Sequence, residues 1–133
     1  MKDNGVCCPE GWTQLNDRCY IVQSDRRNFS DAESICNIIG GNLASIRDAV
    51  ENVVVFQLAQ SENEIPAWIG LHNAFDDGML FWTDGTVFDF SALVDPFSPG
   101  ASCAVMGTAF WSAQSCGLEL PFVCLRESSC YKK

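Results

Sequence analysis

The chain holds one histidine, His72, and no C-x-x-C pair. Zinc sites draw on Cys and His in close pairs, so its eight cysteines do not read as metal ligands. Cations are scarce: eight Lys and Arg stand against 17 Asp and Glu, for a net charge of −9 and a pI near 4.3. Only Arg26-Arg27 and Lys132-Lys133 are adjacent. A nucleic-acid binder carries a basic patch, so polyanion binding is not expected, nor is adhesion to anionic lipid. No apolar run approaches the ~18 residues of a bilayer span; Val53 to Phe56 is the longest aliphatic-aromatic block. Membrane insertion is therefore not expected. There is no G-x-S-x-G nucleophile motif. His72 with a serine and an aspartate could form a triad in name, but a triad is a matter of geometry. Nothing places two carboxylates across a cleft. The sequence predicts no enzyme.

An even count of eight cysteines in 133 residues fits disulfides, which persist in oxidising compartments. The expectation is a secreted or extracellular protein. Met1-Lys2-Asp3 lacks the apolar segment of a signal peptide, so the simplest account is a mature fragment with an added initiator methionine. The length suits one domain spanning 1–133, with an ordered core of about 7–130. Acidity reads first as solubility.

Ala67-Trp68-Ile69-Gly70-Leu71 reads as a buried central strand, beginning at or after Pro66. Gly70 lets another backbone or a large side chain come close. Trp12 to Leu15 and Cys19 to Val22 read as short strands around an Asn16-Asp17 turn, which a Cys8–Cys19 bridge would staple. Ser30-x-x-Glu33 is a capping box for a helix through Ala32, Ile35, Cys36 and Ile39, ended by Gly40-Gly41. Asn28-Phe29-Ser30 is an N-glycosylation sequon. Ser45, with Asp48 three residues on, predicts a second helix from about Ile46 to Ala59, packed through Val50, Val53, Val54 and Leu58. Asp76-Asp77-Gly78 is a turn, Leu80 to Thr83 a strand, and Asp84-Gly85 a hairpin signal. Thr86 to Ser102 reads as a long irregular loop, of the kind that carries function. Cys103 to Met106, Ala109 to Ser112 and Phe122 to Leu125 read as closing strands.

In order and spacing these segments resemble the C-type lectin-like domains. The match runs from about Cys8 to Leu125. Its carriers are Cys8-Pro9-Glu10-Gly11-Trp12 with Cys19-Tyr20, Phe29 to Cys36, Gly40 to Ile46, Trp68-Ile69-Gly70-Leu71, Phe81 to Thr86, and Cys103, Cys116 and Pro121 to Cys124. The resemblance implies an α+β fold: two helices flanking small antiparallel sheets, with a long irregular loop and disulfide staples. It implies bridges Cys8–Cys19, Cys36–Cys124 and Cys103–Cys116. Cysteine counting alone leaves 105 connectivities. Cys7 and Cys130 remain. Termini lie close together in this family, so a Cys7–Cys130 bridge is expected; the rival is an interchain bridge and a dimer.

Family members that bind sugar typically hold one Ca²⁺, an ion that takes six to eight oxygen ligands. Where they carry a Glu-Pro-Asn or Gln-Pro-Asp triplet, this chain has Asp95-Pro96-Phe97. Where they carry Trp-Asn-Asp, it has Trp111-Ser112-Ala113, and Ala101 stands at a further acidic position. Phe97, Ala101 and Ala113 offer no side-chain oxygen. The usual calcium site is not expected, and no cofactor is; Asp76, Asp77 and Asp89 are the carboxylates left for a non-standard site. Among loop aromatics, Phe88 and Phe90 alternate like strand residues and are expected to fill the loop's core. Trp111 is expected in the core, and Phe97, between two prolines, is expected to be exposed. The candidate ligand-binding loop comprises Asp95, Pro96, Phe97, Ser98, Phe110 and Ser112. The implied function is non-catalytic recognition of a glycan or protein without calcium. The alternatives are a calcium-dependent lectin with a non-standard site, or an ice- or mineral-binding surface.

Overall fold

In the computed structural model of the chain, residues 7–73, 78–95, 97–108 and 110–131 are described. The elements run β1 (Thr13–Leu15), β2 (Arg18–Arg27), α1 (Phe29–Ile38), β3 (Asn42–Leu43), α2 (Ala49–Ser61), β4 (Ala67–His72), β5 (Phe81–Trp82), β6 (Leu93–Asp95), β7 (Cys103–Met106), β8 (Trp111–Gln114) and β9 (Leu120–Glu127), then a 3-10 turn, Ser129–Tyr131. The α+β fold is the expected one.

The strands form one connected sheet in the order β1-β2-β9-β4-β7-β8-β6, with β3 on β9 and β5 on β4. Most pairings are antiparallel, as expected, but the strands join into one mixed sheet. β4 meets β9 in parallel at Trp68 and Phe122, and β6 meets β8 in parallel. Pairs so distant in sequence leave no local signal.

β4 is central because both its faces are covered. Ala67, Ile69 and Leu71 enter one apolar cluster with Tyr20, Trp111 and Val55 of α2. Trp68 enters the other, with Phe122 and with Phe29, Ala32 and Cys36 of α1. Phe29 meets Trp68 edge to face at 5.6 Å, and the Trp68 indole N–H donates to Arg27 O at 2.9 Å. Burying one such side chain contributes about 1.5–3 kcal/mol. Gly70 does permit a close approach. A Cβ there would sit 2.9 Å from Leu43 O and 2.9 Å from Thr83 Oγ1.

Both helix starts differ from expectation. Asn28, not Ser30, caps α1: its Oδ1 accepts from Asp31 N at 2.8 Å. Glu33 is drawn elsewhere, accepting from Leu43 N at 2.8 Å and from the side chain of Asn42. Asp48, not Ser45, caps α2, accepting from Glu51 N at 2.9 Å. Ile46 is buried before the helix begins. The later start rotates the buried face onto Glu51, Asn52, Val55 and Ala59, leaving Val50 and Val53 exposed and Val54 and Leu58 half-buried. Two polar residues win that face because each finds a buried partner.

Smaller corrections follow. The second closing strand, expected over Ala109 to Ser112, is shifted: β8 runs Trp111–Gln114. Asp84-Gly85 makes a turn, with Gly85 N donating to Trp82 O at 3.0 Å, yet β5 does not continue into a hairpin. Asp76 and Asp77 lie outside the described residues. Bridges Cys7–Cys130, Cys8–Cys19, Cys36–Cys124 and Cys103–Cys116 form within the chain. No cysteine is free for an interchain bridge.

Candidate functional site

The segment 86–102 is not wholly irregular. Leu93–Asp95 forms β6 against β8, with Leu93 opposite Trp111 and Asp95 opposite Ser112. Two residues of β6 are spanned by one step of β8, so Val94 is an inserted, bulged residue and is 59% exposed. Phe110, just before Trp111, is 57% exposed, and its carbonyl accepts from Gly107 N at 2.8 Å, closing the β7–β8 turn. Val94 and Phe110 thus flank the Leu93–Trp111 pair.

The platform beneath is rigid. Trp111 is fully buried, as expected; it meets Trp82 at 5.3 Å and Phe90 at 6.0 Å, both T-shaped. Its indole N–H donates to Asn52 Oδ1 at 2.8 Å. Phe88 packs toward Trp82 at 6.4 Å, so Phe88 and Phe90 do line the loop's core. Phe97 does not point outward as expected: it is half-buried against the same core. The reason lies at its neighbour. Ser98 and Ala101 exchange both backbone hydrogen bonds, at 3.1 and 2.8 Å, around Gly100 at φ +84°. This tight turn reverses the chain and folds Phe97 inward.

The structure therefore brings Asp95 and Ser112 into register and leaves Phe110 on the surface beside them. Ser98 is exposed, Ser112 is half-buried and Pro96 lies outside the described residues. Val94 was missed from sequence, because nothing in Leu93-Val94-Asp95 announces a bulge.

Calcium does not fit the positions at which relatives would hold it. Ala113 faces Ala104 across β7–β8, and Ala101 sits in the Ser98 turn. Of the seven positions, Asp95 to Phe97, Ala101 and Trp111 to Ala113, only Asp95 and Ser112 carry a side-chain oxygen. Among the described residues no group of three or more His, Cys, Asp or Glu could hold a metal ion.

A second feature was invisible in sequence. Arg18 is 6% exposed and Glu51 3%. Arg18 Nη1 donates to Ser45 O at 2.9 Å and to Glu51 Oε1 at 3.3 Å, and Nη2 to Thr86 Oγ1 at 3.2 Å. Arg47 binds the other Glu51 oxygen at 2.7 Å and reaches Asp17 at 2.8 Å. Ser45 Oγ donates to Asp84 Oδ2 at 2.5 Å, and Asp84 Oδ1 accepts from Thr86 N. The hydrogen bond from Arg47 holds the Asp17 carboxyl below the usual carboxylate range, and burial pushes the Tyr20 phenol above its own. Asp17, Arg18, Arg47, Asp84 and Thr86 border a polar cleft of about 450 Å³. Their charges are already mutually paired, so the network ties α2 and the start of the long loop to β2.

The family profile described as Lectin C-type domain matches residues 25–126. Snaclec EMS16 subunit beta of Echis multisquamatus is 34% identical over 127 residues, covering 90% of this chain and 80% of that protein. The galactose-specific lectin nattectin of Thalassophryne nattereri is 32% identical over 127 residues, with the same coverage of 90% and 80%. Among solved structures, the cow C-type carbohydrate-recognition domain of CD23, crystallised with a GlcNAc2Man3 oligosaccharide, superposes with a TM-score of 0.83 at 29% identity, over 92% of this chain and 98% of that one. The match spans both helices, the central strand and two of the four disulfides, and the chain belongs to the C-type lectin domain family.

Proposed function

We propose that the domain is an extracellular, non-catalytic recognition module that engages a protein surface through Val94 and Phe110, without a calcium cage. The observation that carries this reading is the pair of exposed apolar side chains, Val94 on β6 and Phe110 at the entry to the adjacent β8, set over a locked aromatic floor. An exposed aromatic on a rigid frame anchors a partner with little ordering cost. Four disulfides support an oxidising compartment. No described helix is long and apolar enough to cross a membrane.

A glycan ligand is the second reading. It is favoured by the galactose specificity in the name of one relative and by the oligosaccharide crystallised with another. Glycan-array binding with calcium and again with chelator separates the two. The expected result is silence in both conditions, with binding of the labelled domain to cells that protease treatment of those cells abolishes. Array binding that survives chelator supports the second reading; binding that chelator abolishes overturns calcium independence.

A further inference from the structure

A separate cleft of about 530 Å³ opens between the start of α1, the end of β4 and the Cys103–Cys116 bridge. Asn28, Phe29, Ser30, His72, Asn73 and Ser102 line it. We propose that Asn28 carries an N-linked glycan whose first N-acetylglucosamine lies against this cleft at His72 and Asn73.

Three observations converge. Asn28-Phe29-Ser30 has the acceptor pattern, and Ser30 is exposed in the first turn of α1. The Asn28 amide is held at the surface by its cap bond, which uses Oδ1 alone. The amide nitrogen remains for modification, and a sugar there leaves the cap intact. Finally, the cleft beside it is furnished for a saccharide. Asn73 is only 9% exposed and its Oδ1 has no hydrogen-bond partner, a costly state for a buried acceptor. Sugar hydroxyls and the acetamido N–H are donors. The His72 ring, 5.5 Å from Phe29 and 6.5 Å from Phe81, adds a flat wall for a pyranose face.

In the transfer, Asn28 Nδ2 bonds to C1 of a sugar on a lipid-pyrophosphate-linked oligosaccharide. The C1–O bond breaks, the lipid pyrophosphate leaves with its electron pair, and the amide gives up one proton.

The test is secretion of the chain from a eukaryotic host beside Ser30→Ala, which removes the acceptor pattern and keeps the Asn28 cap. Intact mass and amidase release should show glycan on Asn28 of the parent and none on the variant. An endoglycosidase then trims the parent to one sugar, and the His72 ring resonances are compared with those of Ser30→Ala. The proposal expects those resonances to differ and the one-sugar form to melt a few degrees above the variant. Unmodified Asn28 in folded, secreted parent overturns it. So does a glycosylated parent whose His72 resonances match those of the variant, because the sugar then stands clear of the cleft.

Discussion

The indole N–H of Trp111 donates to Asn52 Oδ1 at 2.8 Å between two buried side chains 59 residues apart in sequence. It pins α2 to the aromatic floor beneath Val94 and Phe110. Asn52→Leu leaves the indole N–H without that acceptor in an apolar setting, which costs about 1–3 kcal/mol. Urea unfolding of Asn52→Leu, Trp111→Phe and the pair should give a double-mutant cycle with favourable coupling. Additivity would mean that the bond carries no net stability.

Arg18 and Glu51 form a buried ion pair at 3.3 Å. Arg18→Met removes the cation that β2 brings to the network, 4.0 Å from Asp84 Oδ2. Loss of one member of such a pair destabilises by about 3–5 kcal/mol, readable as a fall in the urea midpoint. A loss below about 1 kcal/mol would mean that Arg47 alone neutralises Glu51.

The Asp17–Arg47 bond makes a pH prediction. The hydrogen bond from Arg47 holds the Asp17 carboxyl below the ordinary Asp range when folded. A depressed carboxylate contributes stability that is present above the unfolded pKa and lost as pH falls through the folded one. The melting-temperature gap between the parent and Asp17→Asn should therefore be constant near neutrality and close below about pH 4. Both side chains are partly exposed, so the gap should also shrink with salt.

Phe110→Ala and Val94→Asp separate binding from folding. Both side chains are exposed, so each change should move stability by no more than about 0.5 kcal/mol. Each should abolish or strongly weaken cell binding. Phe97→Ala should do the reverse, because Phe97 packs against the core: lower stability, by the cost of a half-buried aromatic, and binding lost only as the fold loosens.

Cys36–Cys124 closes a span of 88 residues and Cys103–Cys116 one of 13. The chain-entropy account assigns about 4–5 kcal/mol to the first and about 3 to the second. Paired Cys→Ala variants should rank in that order by urea unfolding; the opposite order would place native packing around the bridges above loop length. Calcium added to the parent should leave its melting temperature unchanged, since an ion that binds the folded state raises it.

Where the chemistry is local, the sequence was readable. Asn16 takes a positive φ in the turn that Asn16-Asp17 announced, and Gly40 does so at the end of α1. β4 could be recognised because Trp68 and Ile69 favour strands and Pro66 marks where one can begin. The helix caps were misread because Ser30-x-x-Glu33 and Ser45-x-x-Asp48 satisfy a pattern whose atoms are claimed from afar: Glu33 by Leu43, Ser45 by Asp84. The two polar residues on the buried face of α2 depend on Arg18 and Trp111, both far away in sequence, and only the Glu51 contact with Arg47, four residues before it, is local. At the candidate site, Ser112 followed from the family resemblance and Phe110 from its place among the loop aromatics. Val94 and the inward turn of Phe97 arise from a bulge and a reversal, which backbone pairing decides and residue type does not.

The Cys7–Cys130 bridge joins residues 123 apart with Cα atoms 4.9 Å from each other. Mechanically, the domain is a bead whose two leads leave from one point. Tension applied through segments attached at both ends would run along a sulfur–sulfur bond and bypass the hydrogen-bonded strands. A partner could then pull hard on the bead without unravelling it, and in reducing solution the same pull would reach β2 and β9 directly.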